Sequence, residues 1–173
     1  MKKPSWIGTL ALAAVLLAPQ IAPAAPALVI LVRHAEKEAT PADDPGLTFA
    51  GRQRAEELGR VVAAWRVSGA RVRALFASEA KRTQETLSPL AAATGLKVTA
   101  VDGKDTATLV KKILAVSGGV VVVAGHSNTV PAIAQALGGP AGITIGDAEF
   151  DRLFAVMGAG GKAVVVDMRY GNP

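Results

Sequence analysis

Short, continuous apolar runs alternate along this chain with stretches whose apolar positions recur at helical spacing, which predicts strands interleaved with helices. Leu28 to Val32 is a Leu and β-branched run, the pattern of a strand buried on both faces. A Pro/Asp/Gly loop follows from Thr40 to Gly46. Thr48 is placed to cap a helix running to about Arg66, with Leu58, Val61, Val62 and Trp65 on one face. Val72 to Ala77 predicts a second strand, and a helix from about Arg82 to Ala93 stops at Gly95. Leu96 to Val101 reads as a short strand, and Leu109, Val110, Ile113 and Leu114 mark another helix. Gly118 and Gly119 turn the chain into Val120 to Ala124, the most apolar strand of all. Pro131 suits the first turn of the next helix, which ends at Gly138 and Gly139. Arg152 to Met157 and Lys162 to Arg169 flank a turn from Gly158 to Gly161 and predict a hairpin.

Strands alternating with helices give an α/β fold: a three-layer α/β/α sandwich whose sheet is mostly parallel, the hairpin adding an antiparallel edge. The chain's 173 residues, 50% of them hydrophobic, suffice for one domain with a sizeable core. In such sheets ligands gather at the carboxyl ends of the strands. Arg33, His34, Ser78 and His126 all fall at ends of that kind.

The first residues have a different character. Lys2 and Lys3 form a positive start, Ile7 to Ala18 an apolar stretch, and Ala22-Pro23-Ala24 a small-residue cleavage pattern. Residues 1–24 are therefore expected to be a signal peptide cut after Ala24, with Ala27 the alternative site and a periplasmic or secreted destination. An uncleaved anchor is the competing reading, but the apolar stretch is shorter than the roughly 20 residues a spanning helix needs. No stable membrane insertion is expected once it is removed. Without Lys2 and Lys3 the 19 basic residues become 17 against 14 acidic ones, so the net charge of +5 falls to +3. That surplus does not suggest a nucleic-acid partner. With no cysteine, neither a disulfide framework nor a Cys-based zinc site is possible.

The chain has two histidines, and each follows a buried strand: Arg33-His34-Ala35-Glu36 and Gly125-His126-Ser127-Asn128. A third basic segment, Ser78-Glu79-Ala80-Lys81-Arg82-Thr83, follows the strand between them. Singly, each histidine is explained as a hydrogen-bonded turn residue. Together with two arginines they describe a phosphate pocket in which one imidazole is a nucleophile. Its lone pair attacks phosphorus while the alcohol leaves on the opposite side. Guanidinium forks suit the spread negative charge and keep a neighbouring His unprotonated. Amides at the start of the helix after Ser127 offer further donors. Two histidines without i,i+4 spacing make no metal site, and neither a metal nor another cofactor is required.

Val32 to Glu36, Leu47-Thr48-Phe49-Ala50-Gly51, Ser78 to Thr83 and Gly125 to Asn128 resemble, in order, the motifs of the histidine phosphatase superfamily with its phosphoglycerate mutase-like fold. The resemblance runs from about Leu28 to Met168, within a domain of residues 25–173. It implies that His34 becomes phosphorylated, that Arg33 and Arg82 clamp the phosphate and that His126 completes the pocket. Thr48, Ser78, Ser127 and Asn128 would lie near the substrate, although Thr48 is equally explained as a helix cap.

Departures from the pattern bear on the proton donor. Ser127 stands where many relatives carry Asp, and no Glu occurs between Glu85 and Glu149. The remaining candidates are Asp102, otherwise a turn residue, and Glu36, otherwise the partner of an Arg or of Lys37. Asp105, ranked just behind Asp102, is equally explained as a helix cap. Substrates with good leaving groups need little proton donation. The expectation is an exported, metal-independent phosphatase that hydrolyses small phosphomonoesters through a phosphohistidine. Small relatives acting on phosphohistidine share the size and the missing acid, and exported relatives acting on lipopolysaccharide-core heptose phosphates share the compartment. The alternatives are a phosphohistidine-protein phosphatase, a non-catalytic phosphate- or phosphoglycan-binding domain and a Rossmann-like domain with structural histidines. Asp43, Asp44, Asp147 and Glu149 lie in the loops expected to set specificity.

Overall fold

The computed structural model describes residues 25–65 and 71–171, so the expected signal segment 1–24 lies outside the described residues. Six strands and four helices follow in the order β1 (Leu28–Arg33), α1 (Phe49–Ala64), β2 (Val72–Ser78), α2 (Lys81–Thr94), β3 (Val98–Val101), α3 (Thr106–Leu114), β4 (Val120–Gly125), α4 (Thr129–Ala136), β5 (Arg152–Met157) and β6 (Val164–Arg169). These are the predicted elements, with β3 and β6 each starting two residues late. None of the described helices is long and apolar enough to cross a membrane.

The strands form one sheet in the order β3-β2-β4-β1-β5-β6. β3, β2, β4 and β1 run parallel, while β5 is antiparallel to β1 and β6 to β5. β4 is wholly buried, as its unbroken valine run requires. Successive side chains of β1 face opposite layers. Val29 and Leu31 pack with Leu109, Ile113, Val130 and Ile133 of α3 and α4. Ile30 and Val32 pack with Leu58, Val62, Leu87 and Leu90 of α1 and α2.

Local signals terminate the helices where the sequence places them. Thr48 caps α1 by accepting the Gly51 amide, Asp105 caps α3 by accepting the Thr108 amide, and Gly95 ends α2 with φ 71°.

Neighbouring strands β1 and β4 send their following helices to opposite faces, α1 to one and α4 to the other. This is the switch point at which a crevice opens beyond the strand ends. The register there pairs Arg33 with Gly125. The next residue of each strand is a histidine, so β-sheet pairing alone delivers His34 and His126 side by side. The His34 amide continues the ladder by donating to the Gly125 carbonyl at 2.8 Å.

Candidate active site

His34 is 4% exposed, and its ring centroid lies 5.5 Å from that of His126. Its Nδ1 is 2.8 Å from the Ala35 carbonyl oxygen. A carbonyl only accepts, so Nδ1 carries the proton and the neutral ring keeps its lone pair on Nε2. Burial pulls the His34 pKa down to about 4; the charges of Arg33, Arg82 and His126 add to this, while the Ala35 hydrogen bond opposes it. At neutral pH the ring is thus an uncharged imidazole with one free nitrogen, the form a nucleophile needs. The Ala35 amide donates to Thr86 Oγ1 at 3.0 Å, fixing the turn that carries the histidine.

Arg33 is nearly buried, which lowers its pKa. Its Nη1 donates to the carbonyls of Gly146 and Asp147 at 2.8 and 2.9 Å, and its Cζ lies 4.2 Å from the centroid of the Phe150 ring. Phe150 also stands 5.9 Å from the His34 ring. Arg82, from the first turn of α2, has Nη1 3.9 Å from Asp44 Oδ1. It acts electrostatically on both histidines. The Nε atoms of Arg33 and Arg82 are buried without a hydrogen-bond partner. Two cations with donors to spare, beside two neutral imidazoles, form an environment that an oxyanion satisfies.

His126 is held by Ser78, whose Oγ lies 2.9 Å from Nε2 and 2.8 Å from Thr83 Oγ1. Burial, and next to it the charge of Arg82, lowers the His126 pKa against the opposing pull of Glu79. The His126 amide donates to Thr129 Oγ1 at 2.9 Å, which fixes the start of α4. The amides of Thr129 and Val130 turn back to the His126 carbonyl, so they are occupied within the helix. Ser127 is half-buried beside the site; Asn128 is exposed and caps α4 without a side-chain hydrogen bond.

The remaining candidates have other occupations. Glu36 binds Arg54 through both carboxylate oxygens, at 2.7 to 3.0 Å, and so anchors a guanidinium instead of facing the histidines. Asp102 is exposed, with Oδ1 accepting the Lys104 amide at 2.8 Å, the geometry of an Asx turn. Thr48 caps α1 and donates to the Glu36 carbonyl. In the flanking loop Glu149 accepts the Gly146 amide and pairs with Arg169 and Arg152, contacts that hold its pKa down to about 2. Among the described residues no group of three or more His, Asp or Glu is placed to hold a metal ion.

Phe150 and Thr83 are the participants that sequence reasoning missed. Thr83 lies within a quoted motif, five residues after Ser78, where the first turn of α2 doubles back on β2. No pattern marked Phe150; its meeting with Arg33 is purely tertiary.

The model of the histidine phosphatase superfamily (branch 1) matches residues 29–103, a span that holds Arg33, His34 and Arg82 and ends before His126. No curated protein matches the chain. Among solved structures the chain is similar to the SixA protein of Agrobacterium tumefaciens, at 24% identity and TM-score 0.61 over 86% of this chain and 99% of that one. It is similar to the protein histidine phosphatase SixA complexed with tungstate, at 16% identity and TM-score 0.63 over 82% and 96%. A mycobacterial glucosyl-3-phosphoglycerate phosphatase bound to inorganic phosphate follows at 17% and 0.57, over 75% and 88%. At these identities the structures speak for the fold, the phosphoglycerate mutase-like α/β sandwich. The family match over residues 29–103, with the paired histidines between two arginines, makes the chain similar to the histidine phosphatase superfamily and supports a phosphatase.

Proposed function

We propose that the protein is an exported phosphatase that hydrolyses small phosphomonoesters through a phosphohistidine on His34, without a metal ion. The observation that carries this reading is the bond from His34 Nδ1 to its own neighbour's carbonyl, which leaves Nε2 bare within a pocket of two arginines and a second histidine. Nε2 forms a bond to phosphorus as the bond to the leaving oxygen breaks. Water then attacks phosphorus, the N–P bond returns its electron pair to Nε2, and phosphate departs. Arg33 and Arg82 stabilise the charge on the transferring group, so the site has its own positive charge for the transition state.

The substrate class follows from the proton. Glu36 is held by Arg54 and Asp102 by its turn, so neither carboxylate is poised to protonate a leaving alkoxide. This favours, as a second reading, a phosphohistidine substrate, because a leaving imidazole can bring its own proton on the distal nitrogen.

Export rests on residues 1–24. Cleavage after Ala24 keeps Pro26, which is buried, and the Ala27 amide, which donates to the Gly119 carbonyl at 2.9 Å; cleavage after Ala27 would lose both. This supports Ala25 as the first residue of the mature chain.

The test is hydrolysis of p-nitrophenyl phosphate with and without EDTA, repeated with His34→Ala, alongside a screen of sugar phosphates, phosphoamino acids and phosphohistidine peptides. Expected are EDTA-resistant turnover and an acid-labile, base-stable phosphoryl label, both lost in His34→Ala. Turnover that survives the substitution overturns the assigned nucleophile, and binding without any label or turnover favours a phosphate-binding domain.

A further inference from the structure

The hydroxyls beside His126 determine where its proton sits. Thr83 Oγ1 lies 2.6 Å from the Ala80 carbonyl and 3.0 Å from that of Ser78. Carbonyls only accept, and two oxygens do not approach to 2.6 Å without a hydrogen between them, so the single Thr83 hydroxyl proton points to the backbone. Thr83 is therefore an acceptor toward Ser78, and the Ser78 hydroxyl proton points to Thr83 at 2.8 Å. The Ser78 oxygen has two lone pairs left, one facing the Ala80 amide at 3.3 Å and the other facing His126 Nε2 at 2.9 Å. Nε2 must then be the N–H donor. Neutral His126 keeps its lone pair on Nδ1, which has no protein hydrogen bond among the described residues and is not sealed from solvent.

A bare lone pair is the wrong group to meet an oxyanion. We infer that Ser78 and Thr83 are positioning residues that fix the proton of His126 on Nε2, so that Nδ1 takes up one proton when the phosphoryl group binds and delivers it to the leaving group. The inference rests on the phosphatase reading of the same site and supplies the donor that Glu36 and Asp102 do not. The atoms balance. The proton on Nδ1 moves to the departing oxygen as the N–P bond forms at His34. In the second half-reaction the water oxygen bonds to phosphorus, one water hydrogen stays on the phosphate, and the other returns to Nδ1.

The charged groups acting on His126 are Arg82 and Arg33, which disfavour its protonation, and Glu79, which favours it; His34 is the other titratable ring. A bound dianion offsets the arginines and draws the proton in.

The probe is tungstate, a tetrahedral dianion that carries no proton of its own near neutral pH. Binding is followed by calorimetry near pH 7.5 in buffers of different ionisation enthalpy, which counts the protons taken up. Wild type should take up about one proton per tungstate. In Thr83→Val the Ser78 hydroxyl is free to turn to Nε2, the Nδ1–H tautomer forms at no cost, and uptake should fall to near zero with binding retained. Ser78→Ala should do the same, and Thr83→Ser should restore uptake. Retention of uptake in His34→Asn assigns the proton to His126. Binding without uptake in wild type, uptake unchanged in both Thr83→Val and Ser78→Ala, or loss of uptake in His34→Asn overturns the inference alone. Absence of tungstate binding in wild type overturns the reading of the site with it.

Discussion

Glu36 and Arg54 lock the segment after the nucleophile onto α1: Nε reaches both carboxylate oxygens at 2.9 and 3.0 Å, and Nη2 reaches Oε1 at 2.7 Å. Arg54 Nη1 also donates to the Tyr170 carbonyl at 3.2 Å, so the same guanidinium fastens the end of the described chain. Both side chains are largely covered, at 10% and 24% exposure, which makes the pair worth more than a surface ion pair. Glu36→Gln is expected to cost about 1–2 kcal/mol in urea unfolding. The kcat for p-nitrophenyl phosphate should stay within about threefold, well under 1 kcal/mol in the barrier. A loss of several orders of magnitude with unchanged stability would return Glu36 to the chemistry.

Gly51 faces the same backbone. A Cβ on it would stand 2.2 Å from the Glu36 carbonyl oxygen, which already accepts the Thr48 amide at 2.9 Å. The Leu47-Thr48-Phe49-Ala50-Gly51 motif is thus a docking device: Leu47 is buried, Thr48 caps the helix, and Gly51 lets α1 approach the loop. Gly51→Ala should lose about 1–3 kcal/mol by overpacking, read as a drop in melting temperature, and should weaken phosphate binding as the turn behind His34 shifts. A fully stable Gly51→Ala protein would show that the approach is not required.

The sheet was legible wherever apolar runs are continuous. Leu28 to Val32 reads as a doubly buried strand and is one from Val29 on, Val120 to Ala124 reads as the most apolar strand and is wholly buried, and Gly95 and Asp105 end and begin helices through backbone geometry that any tertiary context keeps. The two histidines were legible as a pair because strand ends in a parallel sheet share one edge. What stayed hidden is non-local. Arg33 bonds carbonyls 113 and 114 positions away, and backbone carbonyls leave no trace in a sequence. Glu36 and Asp102 looked like acids since composition shows a carboxylate but not its partner. Thr48, expected either near substrate or as a cap, is seen only as a cap because its hydroxyl meets Gly51 and Glu36.

Burial of His34 couples stability to pH. The unfolded ring takes its proton near pH 6.5, the folded ring only near 4. Between these values the unfolded state holds more protons, so stability rises with pH. The full contribution is present above pH 6.5 and is lost progressively as pH falls toward 4, about 3 kcal/mol in all. Urea unfolding across this range should show that slope in wild type and a shallower one in His34→Asn. Identical slopes would mean that His34 takes up its proton at the same pH folded and unfolded, and that its burial does not hold it neutral.

Phe150 should govern both the charge of His34 and the reach of Arg33. Its ring stands against the imidazole and 4.2 Å from the guanidinium carbon, so it excludes water from one and gives the other a platform. Phe150→Ala hydrates His34 and moves its pKa up from about 4 toward the ordinary value. A nucleophile must be neutral, so the acidic limb of the kcat/KM profile should move upward. At pH 5 the neutral fraction, and with it the rate, should fall roughly tenfold relative to wild type if the shift reaches two pH units. Phe150→Leu separates the two effects: the apolar cover persists and the acidic limb stays low. Loss of the cation–π contact, about 1 kcal/mol, weakens phosphate binding about fivefold. Were both variants to keep the wild-type profile and affinity, the aromatic ring would be a bystander and the low pKa of His34 would rest on burial by its other neighbours and on the arginines.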